Sequence, residues 1–340
     1  MADFQQQISS KLEEYQEDLI SFIQTLVKCP SLANDEGPVQ EIIKDKLDTL
    51  GLDTEKIIVK FDKLKDHPAF CDDGFSPDSR FNIVGQWHND GGGRSLILNG
   101  HVDVVPTGPE NLWNKSPWSG YIKNGRIYGR GSCDMKAGLS AGIFAVQVLQ
   151  SIGFKPNGNI MIQSVIGEES GGCGTLTNIV EGYSGDAAVI LEPTSLKVCP
   201  IQSGALTFRL TIPGCATHAA IRWNGVSAIE KFNLIQQSIL KFEQERHDSF
   251  NVAYFESKDR VAPINIGTIK GGEWHSTVPE SVVAEGRFGV FPSETIRNAR
   301  DAFEDHIGKI SNNDPWLKEN PPVIEWFEGQ FESGQTDLDD

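Results

Sequence analysis

The chain has 340 residues, more than one ordinary core serves and enough for two domains. With 30 Lys+Arg against 47 Asp+Glu it carries −17 at pH 7, a charge that repels nucleic acid and anionic membrane and excludes both as main partners. A hydrophobic content of 39%, with seven Trp and eighteen Phe, excludes a disordered chain.

The N-terminal stretch MADFQQQISSKLEEYQEDL has neither a basic n-region nor an apolar h-region, so no signal peptide is expected. Residues 10–28 predict an amphipathic helix. Leu12, Tyr15, Leu19, Phe22, Ile23 and Leu26 recur at helical spacing, and Ser10 with Glu13 fits a capping box. Cys29-Pro30 ends it. A second helix is expected over Pro38–Leu50, with Pro38 in its first turn and Gly51 as its C-cap. From about residue 81 the pattern becomes short apolar runs closed by turn residues. Phe81–Gly85, Ser95–Leu98, Asn159–Ile166 and Ala187–Leu191 read as buried strands. Met135–Leu149 is apolar on nearly every face and reads as a buried helix between strands. The alternation predicts an open, largely parallel α/β sheet.

Beyond residue 203 the order changes. Ala205–Pro213 predicts a strand, Gly225–Phe242 a helix, Ala262–Ile269 and Val278–Val290 strands, Glu294–Ile307 a helix and Pro322–Phe327 a last strand. That β-α-β-β-α-β series is the ferredoxin-like unit. The expected organisation is a first domain over 1–202, a second over 203–330, and an acidic tail or linker over 331–340, since Glu328–Asp340 is polar and acidic. No apolar run approaches the roughly 18–20 residues of a membrane span. Six Cys (29, 71, 133, 173, 199, 215) are scattered without a CxxC pair, which fits reduced thiols and a cytoplasmic protein.

The chemistry sits where the predicted strands stop. Ser95–Leu98 runs into Asn99-Gly100-His101-Val102-Asp103, Asn159–Ile166 into Gly167-Glu168-Glu169-Ser170-Gly171-Gly172, and Ala187–Leu191 into Glu192-Pro193. Asp134 lies just before the buried helix. Ligands of open α/β sheets bind outside the carboxyl ends of the strands. Taken singly, each residue has an ordinary reading: Asp134 as a helix cap, Glu168-Glu169 as a solvated turn, Glu192-Pro193 as a strand exit. Together they gather one imidazole and several carboxylates in one crevice, and such a cluster needs a cation or shared protons. That donor set suits zinc, or cobalt and manganese, and a carboxylate can bridge two ions about 3.5–4 Å apart. Asp103, two residues beyond His101, is placed to orient the imidazole.

The segments HVDVVP, GRGSCDMKAG, IGEESGG and LEPT, in that order, resemble the signatures of the zinc-dependent M20 peptidase family, and within it the acetylornithine deacetylase and succinyl-diaminopimelate desuccinylase branch. The resemblance runs from about residue 10 to 330. It implies a zinc-peptidase-like catalytic domain with an inserted ferredoxin-like lid, and two divalent metal ions. His101 matches the imidazole ligand of the first metal and Asp103 its orienting carboxylate; Asp134 matches the bridging carboxylate. Glu168 matches the general base, Glu169 a ligand of the second metal and Glu192 a ligand of the first. In the lid, His218 matches a histidine that reaches the partner subunit's active site and helps hold the oxyanion. Arg287 resembles the arginine that binds a substrate carboxylate. Without the resemblance, His218 reads as an ordinary histidine and Arg287 as a surface cation pairing with Glu285. Cys133 and Cys173 flank the expected site with no adjacent His to activate them, and read as packing.

The family pattern continues past the lid with a further segment and a last His for the second metal; here no His follows His306. The second metal is therefore expected to keep only Asp134 and Glu169, and the chain reads as a truncated one, or one completed by something else, since a missing strand leaves an open sheet edge. The expected activity is metal-dependent removal of an acyl group from an N-acyl amino acid by a homodimer joined through the lid. An M20-type dipeptidase and an inactive metal-binding or dimerisation fragment are the alternatives.

Overall fold

The computed structural model describes residues 2–89, 91–250, 255, 257 and 260–338. It divides into two compact units, Met1–Lys197 and Val198–Asp340.

The first unit opens with α1 (Ala2–Lys28), which buries Ile23, Leu26 and Val27. The helix starts well before Ser10: no Gly or Pro interrupts residues 2–9, so Ser10 and Glu13 lie inside it and form no cap. Its last carbonyls are satisfied from another helix. Lys136 Nζ donates to the Leu26 and Cys29 carbonyls, both at 2.9 Å, and is fully buried there. Burial lowers its pKa to about 8. In α2 (Gly37–Thr49), Val39, Ile43 and Leu47 form the buried face, and Gly51 follows the helix in the left-handed region at φ 71°.

The central sheet has the order β1 (Asp53–Ile58), β2 (Phe81–Trp87), β6 (Ile160–Val165), β3 (Leu96–His101), β7 (Ala187–Ile190). Only β3 pairs in parallel, with β6 and with β7; β1–β2 and β2–β6 are antiparallel. The sheet is therefore mixed rather than largely parallel. Strand direction is set by the connections, which the apolar runs do not encode. A short helix α3 (Phe61–Leu64) follows β1, and β4 (Tyr121–Lys123) and β5 (Arg126–Tyr128) form a hairpin. Helix α4 (Lys136–Ser151) crosses the sheet and α5 (Cys173–Val180) follows β6. A Cβ on Gly138 would collide with the Leu191 carbonyl oxygen, so α4 lies against the exit of β7 closely enough that only glycine fits.

The second unit holds a four-stranded antiparallel sheet, ordered β10 (Ile264–Gly271), β11 (Ser281–Val290), β9 (Gly204–Pro213), β12 (Val323–Phe331). With α6 (Ala228–Ser249) and α7 (Ile296–Asn312) this is the ferredoxin-like arrangement. A short α8 (Pro315–Glu319) precedes β12 and is capped by Asp314, whose side chain accepts from the Trp316 and Leu317 N–H groups. Along β9, Leu206, Phe208, Leu210 and Ile212 alternate inward and meet Phe232, Ile235 and Ile239 of α6 with Ala299, Phe303 and Ile307 of α7. Residues 331–338 do not behave as a linker. β12 reaches Phe331, and β13 (Gly334–Gln335) pairs with β8 (Ile201–Gln202), which puts 198–202 in the second unit.

Phe303 is fully buried, with ring centroids 4.9 Å from Phe208, 5.1 Å from Phe288 and 5.8 Å from Trp326. Phe303→Ala should destabilise the second unit by about 3–5 kcal/mol, read from the midpoint of denaturant unfolding.

Candidate metal centre

Parallel pairing brings three strand ends to one side. β3 ends at His101, which pairs with Val165 at the end of β6; β7 ends one residue after its pairing of Val189 with Leu98. Glu168 and Glu169 follow β6, Glu192 follows β7, and Asp134 lies at the approach to α4. Met135 occupies the N-cap position of α4 and no side chain bonds to that helix end, so the Asp134 carboxylate is not spent on the helix.

His101 is the hub and is 1% exposed. Its Nδ1 lies 2.9 Å from the Asp103 carbonyl oxygen; a carbonyl only accepts, so Nδ1 carries a proton. The other nitrogen, Nε2, faces Asp134 Oδ1 at 3.1 Å, Glu192 Oε1 at 3.5 Å and Glu168 Oε2 at 3.9 Å. Asp103 is buried behind the ring: Oδ2 accepts from the Glu169 N–H at 3.0 Å, while Oδ1 lies 3.6 Å from His101 Nδ1 and has no hydrogen-bond partner. Two overlapping groups, His101–Asp134–Glu169 and His101–Glu168–Glu192, each offer ligand atoms within 4.8 Å of one another.

Like charges this close do not all ionise. Burial, then Asp134, Glu168 and Asp103, raise Glu169 to about 7. Burial, then Asp134 and Glu168, raise Glu192 to about 7, and a hydrogen bond with Asp134 adds to it. In each case His101 opposes the shift. Burial alone would lower His101, but Asp103, Glu168 and Glu192 raise it. One imidazole, four carboxylates around it, two of them with raised pKa, and a buried unpartnered Asp103 oxygen behind it are the chemistry of a hard-to-borderline divalent cation site, and the residues present fit one.

All six residues expected at the site in the first unit thus come together. His218 and Arg287 belong to the second unit. His218 is exposed; its Nδ1 accepts from the Ala220 N–H at 3.1 Å at the start of a short 3-10 turn. Arg287 is exposed on β11, opposite Thr207 on β9 and Asn265 on β10. Glu285, the neighbour that would neutralise it, pairs with Arg209 at 2.8 Å instead. Asn265 has no motif of its own in the sequence and is placed beside Arg287 only by strand register. Cys173 is no nucleophile: burial pushes its thiol up to about 12.

Residues 97–338 match peptidase family M20/M25/M40. The chain belongs to this family. It is 32% identical over 335 residues to an N-formyl-4-amino-5-aminomethyl-2-methylpyrimidine deformylase of Bacillus subtilis (strain 168), covering 94% of this chain and 74% of that protein. It is 27% identical over 320 residues to a probable succinyl-diaminopimelate desuccinylase of Staphylococcus aureus (strain MSSA476), covering 88% and 74%. The fold matches the crystal structure of human carnosine dipeptidase 1 with a TM-score of 0.72 at 15% identity, covering 98% of this chain and 82% of that one. This M20 chain is accordingly a hydrolase of the amide-cleaving kind, with a catalytic unit and a lid unit. No helix among its described residues is long and apolar enough to cross a membrane.

The raised pKa values carry a sign. Glu169 and Glu192 hold protons in the folded metal-free M20 chain between about 4.5 and about 7, where the unfolded chain has released them. Raised His101 acts in the same direction above its ordinary 6.5. The contribution of these groups to stability is full at low pH and lost as pH rises through about 7. The melting temperature of the metal-free protein should therefore fall between pH 5 and pH 8, and saturating zinc should remove that fall, read by scanning calorimetry in both states.

Proposed function

We propose that this M20 chain is a metal-dependent amidohydrolase that takes an acyl group off the nitrogen of an N-acyl amino acid or related amine. The arrangement of carboxylates around His101 Nε2 carries the reading. Both curated relatives named above support it, since one is named for removing a formyl group and the other a succinyl group.

His101, Asp134 and Glu192 would hold the first ion, with zinc the first choice and cobalt or manganese able to replace it. Asp134 would bridge to a second ion held from this chain by Glu169. When bound, such ions supply a polarised water and a counter-charge for the carbonyl oxygen. Glu168 accepts the proton of the attacking water and delivers it to the departing nitrogen, so one carboxylate serves as base and then acid. Asp103 keeps the proton of His101 on Nδ1 and so keeps Nε2 turned towards the site. His218, from a second copy of the chain docked through the lid, would donate to the carbonyl oxygen as charge develops there. Arg287, with Asn265 opposite it, would bind the carboxylate of the amino-acid half.

Glu168→Gln should reduce kcat by about 10²–10⁴-fold while zinc per chain, measured by elemental analysis after desalting, stays unchanged. Retained turnover would reject Glu168 as the base. Across N-acetyl, N-formyl and N-succinyl amino acids and free-amine dipeptides, the acylated compounds should react fastest. A preference for dipeptides would overturn the deacylase reading in favour of a peptidase. Arg287→Met should raise KM about tenfold or more for substrates with a carboxylate and leave carboxamide analogues little changed.

A further inference from the structure

Under the loop that carries Glu168 and Glu169 lies a buried ion cluster that none of the motifs includes. Arg80 donates from Nη1 to Asp73 Oδ2 at 2.7 Å and from Nη2 to Glu36 Oε1 at 2.8 Å. The three side chains are 0–2% exposed. Two carboxylates share one guanidinium, while Glu36 Oε2 and Arg80 Nε have no hydrogen-bond partner. Filling space with ions in this way is a poor route to stability, because apolar groups of the same volume do as well. What the cluster offers is direction.

Its direction is towards the loop. Asp73 Oδ2 also accepts from Ser170 Oγ at 3.1 Å, and Asp73 Oδ1 accepts from the Phe75 N–H at 3.1 Å. Gly167, the residue before Glu168, has φ 66°, and a Cβ there would lie 2.9 Å from Arg80 Nη2. The guanidinium is thus packed directly against the backbone that launches the base. The turn closes on itself through Gly172 N–H to the Gly167 carbonyl at 2.7 Å and Gly171 N–H to the Glu168 carbonyl at 3.3 Å. It is held at two further points: Asp103 takes the Glu169 N–H and Asp73 takes the Ser170 hydroxyl.

We propose that Arg80 and Asp73 are positioning residues for this reaction: Arg80 orients Asp73, Asp73 anchors Ser170, and the anchored turn holds Glu168 and Glu169 in register with His101. The proposal rests on the reading of Glu168 as the base. Asp103 fixes the turn from the side of the ligands and Asp73 from beneath, so loss of either anchor leaves a hinge about the other. Arg80 itself is a poor first target, since its removal strands two buried carboxylates and threatens folding. Ser170 carries the link with a single hydroxyl.

The test compares Ser170→Ala and Ser170→Thr with the unaltered zinc-loaded chain. It uses kinetics on the N-acyl amino acid turned over fastest and amide hydrogen exchange at Gly171 and Gly172. In Ser170→Ala, kcat should fall about tenfold or more with KM within about twofold, and exchange at the two glycines should quicken about tenfold, with zinc content unchanged. Ser170→Thr, which keeps the hydroxyl, should restore both. Unchanged exchange in Ser170→Ala overturns the anchoring, and quickened exchange with unchanged kcat overturns its bearing on Glu168. Glu168→Gln run alongside separates the two readings: if it retains turnover the base assignment fails, whereas exchange at the glycines still judges the anchor.

Discussion

Repulsion among carboxylates is the constraint on which this structure turns. Asp134, Glu168 and Glu192 converge on one imidazole nitrogen, and Glu169 and Asp103 stand close behind. Burial and the neighbouring carboxylates together raise Glu169 and Glu192 to about 7, with His101 opposing the shift. The same crowding of carboxylates favours a divalent ion among them.

The surrounding framework answers that repulsion by fixing the backbone from several sides. Parallel pairing of β3 with β6 and β7 sets the strand exits side by side. Gly138 lets α4 settle on the exit of β7, and Lys136, two residues earlier, ties α4 to the end of α1. Asn82 adds a buried brace: its side chain accepts from the Ile166 N–H at 3.1 Å and donates to the Gly174 carbonyl at 2.7 Å, holding the two ends of the Glu168 loop. Polar groups so deeply placed cost less when each hydrogen bond is made, and here they fix the loops that bring the carboxylates to His101.

The parts of the fold that sequence makes legible are those whose apolar residues are buried on both faces. β6, with every residue buried, and α4, with apolar residues all round, stand out as runs. β1 does not: it reads Asp-Thr-Glu-Lys-Ile-Ile, sits at one edge and is mostly exposed, so little in its pattern separates it from a loop. The β4–β5 hairpin is only three residues a side, yet Asn124-Gly125 between stacked Tyr121 and Tyr128 is a turn signal that sequence did contain. The residues gathered around His101 are readable because they fall at strand ends within motifs. Arg80 and Asp73 were not, for a charged residue in an irregular stretch looks solvated until the chain folds over it. Asn265 likewise depends on register, which one strand cannot disclose.

β7 leads to Glu192, two residues beyond its end, and yet is the least sheltered strand of its sheet. Among the described residues it pairs only with β3, and Val189 and Ile190 are 47% and 53% exposed. A short exposed margin frays far more often than the strands behind it. A cation shared by Glu192, His101 and Asp134 would rivet that margin to β3 and to the approach of α4, so β7 could peel away only by first releasing the ion. Free metal concentration would then govern the fraying through mass action, and chelation would loosen the border of the sheet long before it reached the core. In that sense the centre would be a clasp as well as a workplace, and proteolytic nicking beside β7 would be a gauge of how full it is.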